Sequence, residues 1–301
     1  MKKIIYILLS VFVLAGVSSC EIDNYDGPQE TFCGAFIDKV TKEAFQTAIG
    51  NTGIRIRMME YSWSENPQPY DFNCMMDGTF QNTKIFAGNY GIIPEGAFVP
   101  LEEEIIDIKG KVEKVFEVEP LLRLQWIGEP RVNADGSVEV KVKITRGTTN
   151  PEYQQPIEEA WLFVGETSYV GDFSFSNRFS TQLVDGAVFD ILDKEITIRT
   201  KGQFPEYSRK FFLRVGARTT KKFSGTNRYN YTTVKEITLL SVIDVIDYLE
   251  IFNEIKLLRQ LVVNELVAFL VLYVIDFFEN DKNRSVESYK NRFAQNEDFP
   301  T

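Results

Sequence analysis

The stretch GIRIRMMEYSWSENPQPYDF, residues 53–72, decides the fold. Its first half alternates, with Ile54, Ile56 and Met58 on one side of an extended chain and Arg55, Arg57 and Met59 on the other. Successive side chains of a strand point to opposite faces, so a period of two reads as a strand with one face buried. The second half breaks the alternation. Pro67 and Pro69 restrain a polar loop, and Tyr61, Trp63, Tyr70 and Phe72 stand around them. Four aromatics in such a loop are unusual.

The same rhythm extends outward in both directions. TFCGAFID (31–38) and KIFAGNYGII (84–93) read as strands, and EEIIDIKGKVEKVFEV (103–118) supplies two more around Lys109-Gly110. Asp77-Gly78 is a hairpin signal, because glycine accepts positive φ without cost. Pro120 and LLRLQW mark a boundary. Beyond it SVEVKVKITRG (137–147) alternates again, and IEEAWLFVGE (157–166), EITIRTKG (195–202), RKFFLRVGART (209–219) and YNYTTVKEITL (229–239) continue the pattern. The expectation is an all-β chain of two tandem β-sandwiches, residues 30–119 and 120–240, the second of immunoglobulin or fibronectin III kind. Trp161, on a central strand, is expected in the core. Arg214 projects from the face opposite Leu213 and Val215 and is expected in solvent.

Residues 241–301 differ in texture. Positions 242–280 contain no glycine or proline and read as helix. The uninterrupted apolar segment there, Leu266 to Ile275, is too short to cross a bilayer. Two accounts stay open for this helical tail: sequence read past a normal end near Leu239, or a docking helix.

At the other end, Lys2 and Lys3 precede an apolar run from Ile4 to Val17, the order of a secretory signal. Val17-Ser18-Ser19-Cys20 resembles a bacterial lipobox, which implies a signal peptide over 1–19 and Cys20 as the lipidated first residue of the mature chain. The acidic tether that follows, 20–29, resembles the signal that sends lipoproteins to the outer face of the outer membrane. The expected location is therefore the outer membrane, lipid-anchored through Cys20 and facing the exterior.

Composition narrows the chemistry. The 301-residue chain carries a formal net charge of −10, and loss of the signal removes two lysines and no acid. Such a surface repels nucleic acid, whose binding depends on Lys and Arg neutralising phosphates. There is no histidine, which excludes Ser-His and Cys-His nucleophiles and His-based zinc sites. With Cys20 committed to lipid, Cys33 and Cys74 remain. An oxidising compartment permits a bridge between them, although two unpaired buried thiols are the favoured reading. No catalytic residue, metal set or cofactor is expected.

Two resemblances add to this reading. GAFIDKVTKEAF followed by DGTFQNTKIFAGNY resembles the carboxypeptidase-regulatory, transthyretin-like module, with Gly34, Asp38, Asp77, Gly78, Phe80, Gly88 and Tyr90 matching in order. Those residues are turns and core aromatics and imply a sandwich, not a chemistry. Over about residues 1–239, DNYDGPQETFCGAFID, RIRMMEYSWSENPQPYDF, DGTFQNTKIFAGNYGIIPEGAFVP and RKFFLRVGARTT…NRYNYTTVKEITL resemble an uncharacterised family of two-domain surface lipoproteins. These are encoded beside starch-utilisation-system-like outer-membrane transporters. The resemblance implies such a transporter and its binding lipoprotein as partners.

The leading functional expectation is non-catalytic glycan binding at the cell surface, with Tyr61, Trp63, Asn66, Tyr70 and Asp71 as candidate binding residues. Tyr61 and Trp63 lie two apart and would project to one side of a continuing strand, and ring faces complement the apolar faces of sugars. Glu65, Asn66 and Asp71 stand by for hydroxyls. The alternatives are a structural accessory of the transport complex without a sugar site, and, formally, a hydrolase using two carboxylates.

Overall fold

The computed structural model describes residues 27–188, 190–205, 209–239, 251–272, 274 and 275; Cys20 lies outside them. The expected all-β architecture is what the chain adopts. The first sandwich contains β1 (Glu30–Asp38), β2 (Arg55–Glu60), β3 (Pro69–Asn73), β4 (Thr79–Ile85), β5 (Gly88–Glu95), β6 (Glu104–Ile108) and β7 (Lys111–Val118). One sheet has the order β4-β1-β7 and the other β3-β2-β5-β6. β1 pairs β7 in parallel, from Thr31↔Lys111 to Asp38↔Val118. Between the sheets, Phe32, Phe36, Phe80, Phe98 and Phe116 meet Ile54, Ile56, Met58, Ile92 and Ile108. Each fully buried large apolar side chain contributes about 1.5–3 kcal/mol relative to exposure.

The Asp77-Gly78 turn forms, with Gly78 at φ +78°, but it does not close a hairpin. β3 and β4 lie in different sheets, so the turn carries the chain across the sandwich. Phe36 N–H donates to the Gly78 carbonyl and Phe45 N–H to the Phe36 carbonyl, which ties the crossing to β1. Cys33 is half-buried and Cys74 buried, both free thiols.

The second sandwich contains β8 (Leu122–Trp126), β9 (Arg131–Val132), β10 (Val138–Arg146), β11 (Ile157–Gly165), β12 (Thr181–Val184), β13 (Glu195–Arg199), β14 (Arg209–Thr219), β15 (Lys222–Phe223), β16 (Thr226–Asn227), β17 (Asn230–Tyr231) and β18 (Lys235–Leu239). Its sheets run β13-β10-β8, with β9 on β10, and β12-β11-β14-β17, with β18 on β14. Leu122, Ile144, Ala160 and Ala217 are buried between them.

Two expectations are corrected on the outer face of β11 and β14. Trp161 is not in the interior. It is half-buried on the outer face, stacked on Phe163 at 5.4 Å with an interplanar angle of 5°, while Ala160 and Leu162 point inward. Arg214 does project opposite Leu213 and Val215, but that face is covered and the arginine is 0% exposed. Phe163, Val170, Tyr229 and Tyr231 cluster there with Ala48 of the first sandwich. Arg214 donates from Nε to the Thr232 carbonyl (3.0 Å), and from its terminal nitrogens to the carbonyls of Val170 (3.4 Å) and Met76 (3.3 Å).

Polar side chains complete this junction. Arg228 donates to the Gly53 carbonyl at 3.1 Å and pairs with Glu95 at 2.7 Å. Asn230 donates to the Ala97 carbonyl at 2.8 Å and accepts the Leu122 amide at 3.0 Å. Arg123 meets Asp38 in a two-point pair, 2.5 and 3.0 Å. Burial works against the Asp38 charge, but Arg123 and the amides of Val40 and Thr41 outweigh it and hold its pKa below the usual carboxylate range.

A helix, α1, spans residues 251–272. Its side chains are exposed on all sides, Phe252, Leu258, Val262 and Phe269 among them. No helix among the described residues is long and apolar enough to cross a membrane.

Candidate functional site

The aromatic loop of the first sandwich is the β2–β3 connection, residues 61–68. Two bonds tie its start to β5, and a third lies within the loop. Tyr61 N–H donates to the Asn89 carbonyl (2.9 Å), Asn89 N–H to Ser62 Oγ (2.8 Å) and Asn66 N–H to Ser64 Oγ (3.1 Å). Between the two serines stands Trp63, 80% exposed. Glu65 and Asn66 are exposed beside it in the chain.

The other candidates divide between the two faces of the β3-β2-β5-β6 sheet. Opposed residues in an antiparallel pair share a face. Tyr70 lies opposite Met58, and Phe72 opposite Ile56, so Tyr70 belongs to the inner rim. It leans on Phe72, with centroids 6.3 Å apart, and its hydroxyl accepts from Asn82 at 2.9 Å, linking the two sheets. Asp71 lies opposite Arg57 on the outer face, where the two form a two-point pair, 2.9 Å on each side. That hydrogen bond, with Arg55 3.6 Å away, keeps the Asp71 carboxyl below its ordinary pKa. The expected single platform is therefore corrected: Tyr70 supports the fold, and the Asp71 oxygens already hold partners.

Tyr61 lies flat on the outer face. A Cβ on Gly91 would meet Tyr61 Cε2 at 2.8 Å and Glu103 Oε1 at 1.7 Å, so only glycine lets the ring and the carboxylate rest on β5. The Tyr61 hydroxyl donates to Glu103 at 2.9 Å, which raises the phenol pKa. Ile105, opposite Gly91 in register, shares this face and is 60% exposed. Glu103 and Ile105 escape sequence reasoning because β6 and the residue before it look like any amphipathic strand. Glycine at a central strand position was the available signal, since it marks close approach. Among the described residues no group of three or more Cys, Asp or Glu is arranged to hold a metal ion.

The class these features define is a tandem β-sandwich protein with a pinned aromatic hairpin on its first domain. The N-terminal-domain model of DUF3823, a family of proteins of unknown function, matches residues 30–119. A crystal structure of a DUF3823 family protein from Bacteroides uniformis ATCC 8492 is 33% identical, covers 71% of this chain and 100% of its own, and superposes with a TM-score of 0.64. The chain belongs to the DUF3823 family. A "putative carbohydrate binding protein" from the same organism is 22% identical, with 71% and 100% coverage and a TM-score of 0.58. A DUF3823 protein from Parabacteroides merdae ATCC 43184 is 16% identical, with 70% and 100% coverage and a TM-score of 0.54. These last two share the fold. Comparison with curated proteins gives no match.

Proposed function

We propose that this protein is a non-catalytic glycan-binding lipoprotein of a glycan-utilisation system, anchored in the outer membrane through Cys20 and facing the cell exterior. The observation that carries the reading is Trp63: a large ring, 80% exposed, directly after the two bonds that tie the start of its loop to β5. Burying such a ring in the protein would gain about 1.5–3 kcal/mol, and an aromatic side chain, with only two torsions to fix, loses little conformational entropy on meeting a ligand. Tyr61 and Ile105 add apolar surface on the neighbouring sheet face. The Bacteroides uniformis neighbour named for carbohydrate binding supports the same reading. Its partners are a glycan, outer-membrane lipid, and a starch-utilisation-system-like transporter with its binding lipoprotein.

The test is a glycan array probed with soluble protein that begins after Cys20, followed by Trp63→Ala. Saturable binding is expected. The substitution should weaken retention on the polysaccharide at least tenfold, with the melting temperature unchanged because the ring packs on little. A blank array, or full retention by Trp63→Ala, overturns the hairpin as the binding element. For the anchor, Cys20→Ala should release the protein from the membrane fraction. A mutant that still matures and stays membrane-bound defeats the lipobox reading.

A further inference from the structure

A second concave surface lies away from the hairpin, a groove of about 640 Å³ between the two sandwiches. Asp38, Glu43 and Gln46 line it from the first sandwich, and Arg123, Gln125 and Trp126 from β8 of the second. Its size falls in the ~300–1,000 Å³ range of ligand sites, and clefts between domains are where such sites concentrate. Its walls are fixed to each other by the Asp38–Arg123 pair and by Asn230. A cleft so held needs little reorganisation to bind.

The inner surface also carries main-chain groups that have no backbone partner among the described residues. β8 is the edge of its sheet. Ile127 N–H donates to the Lys141 carbonyl, while the Ile144 carbonyl turns the other way to accept from Asp193. With the register Val142↔Trp126 and Ile144↔Leu124, this alternation turns the peptide groups of Leu122, Leu124 and Trp126 outward. Asn230 takes the Leu122 amide; those of Leu124 and Trp126 face the groove. Trp126 is held in one orientation, with Nε1 donating to the Thr233 carbonyl at 2.9 Å and the Lys235 ammonium over one face at 5.5 Å. The groove meets the rest of the ring.

Charge selects among ligands. Asp38 and Arg123 neutralise each other, and Glu43 at the rim disfavours phosphates and uronates. Planar amides, free peptide groups and an indole suit a neutral ligand that has both hydroxyls and apolar C–H faces. We infer that this groove is a second binding site, for a short neutral oligosaccharide. The class of ligand rests on the proposed glycan reading; the location does not depend on the hairpin.

The test uses the whole soluble chain after Cys20, with maltohexaose, cellohexaose, xylohexaose and mannohexaose as probes, read by isothermal titration and by tryptophan fluorescence. At least one probe should bind, and Gln125→Ala should weaken it at least tenfold with no change in melting temperature. Trp126→Phe should also weaken it, and should remove the fluorescence change that Trp63→Ala retains. Short-oligomer binding lost in Trp63→Ala but untouched by Gln125→Ala and Trp126→Phe overturns the groove and leaves the hairpin standing. Binding lost in Gln125→Ala and Trp126→Phe but kept in Trp63→Ala is the pattern expected of the groove, and retention of polysaccharide by Trp63→Ala on the array then decides the hairpin separately. If none of the four probes binds, the groove inference falls whatever the array shows.

Discussion

Arg57 and Arg214 read alike in the sequence, each set between residues that alternate inward on a strand, yet the molecule treats them oppositely. The Arg57 side chain is 34% exposed and answered by a carboxylate, Asp71. Arg214 is fully buried, answered by three carbonyls and by the Tyr231 ring, 4.2 Å from its guanidinium carbon. Burial pulls the Arg214 guanidinium down to about 10, which still leaves it charged at neutral pH. The difference is that the outer sheet face around Arg57 stays open while the face around Arg214 becomes part of the junction between sandwiches. Alternation tells which face a side chain takes; it says nothing about what lands on that face.

The sharpest way to break this comparison is to remove each arginine. Arg214→Ala takes the arginine's hydrogen bonds from the buried carbonyls of Thr232 and Val170 and opens a cavity, an expected loss of roughly 2–4 kcal/mol. Arg57→Ala removes a partly exposed pair, worth under about 1 kcal/mol. Thermal unfolding followed by circular dichroism should separate the two by many degrees, and equal losses would mean that the junction contributes nothing. An effect between these two is expected at Asp38. Its folded pKa is depressed, so its contribution is complete above the unfolded value of about 3.9 and disappears as pH falls through the folded value. Asp38→Asn should cost about 1.5 kcal/mol at neutral pH, and the gap to the parent protein should close below about pH 4. A gap that stays constant down to pH 2 would show that the carboxylate charge plays no part.

The fold was largely legible because β10 and the first half of β2 alternate and Gly78, Gly110 and Gly136 stand where turns need positive φ. The sheet to which a strand belongs was not legible. Asp77-Gly78 gives a turn in either case, and only tertiary packing makes it a crossing instead of a hairpin. The hairpin loop was found from composition, but Tyr70 was misplaced because its face depends on pairing with Met58 across a loop of unknown length. The junction was hidden for a different reason. Arg228, Tyr229, Asn230 and Tyr231 are all buried, though NRYNY reads as a polar surface run. Its density of large side chains able both to pack and to donate was the one available hint.

The parallel pairing of β1 with β7 has a mechanical consequence. The chain enters the first sandwich at the start of β1 and leaves it at the end of β7, and because the two strands run in the same direction these points lie at opposite ends of the pair. Tension drawn along the chain through this domain therefore pulls the strands past each other lengthwise. The eight register pairs from Thr31↔Lys111 to Asp38↔Val118 share the load together instead of opening one after another. Resistance to force is set by the barrier to unfolding and not by equilibrium stability, and this strand pair places that barrier directly in the line of pull.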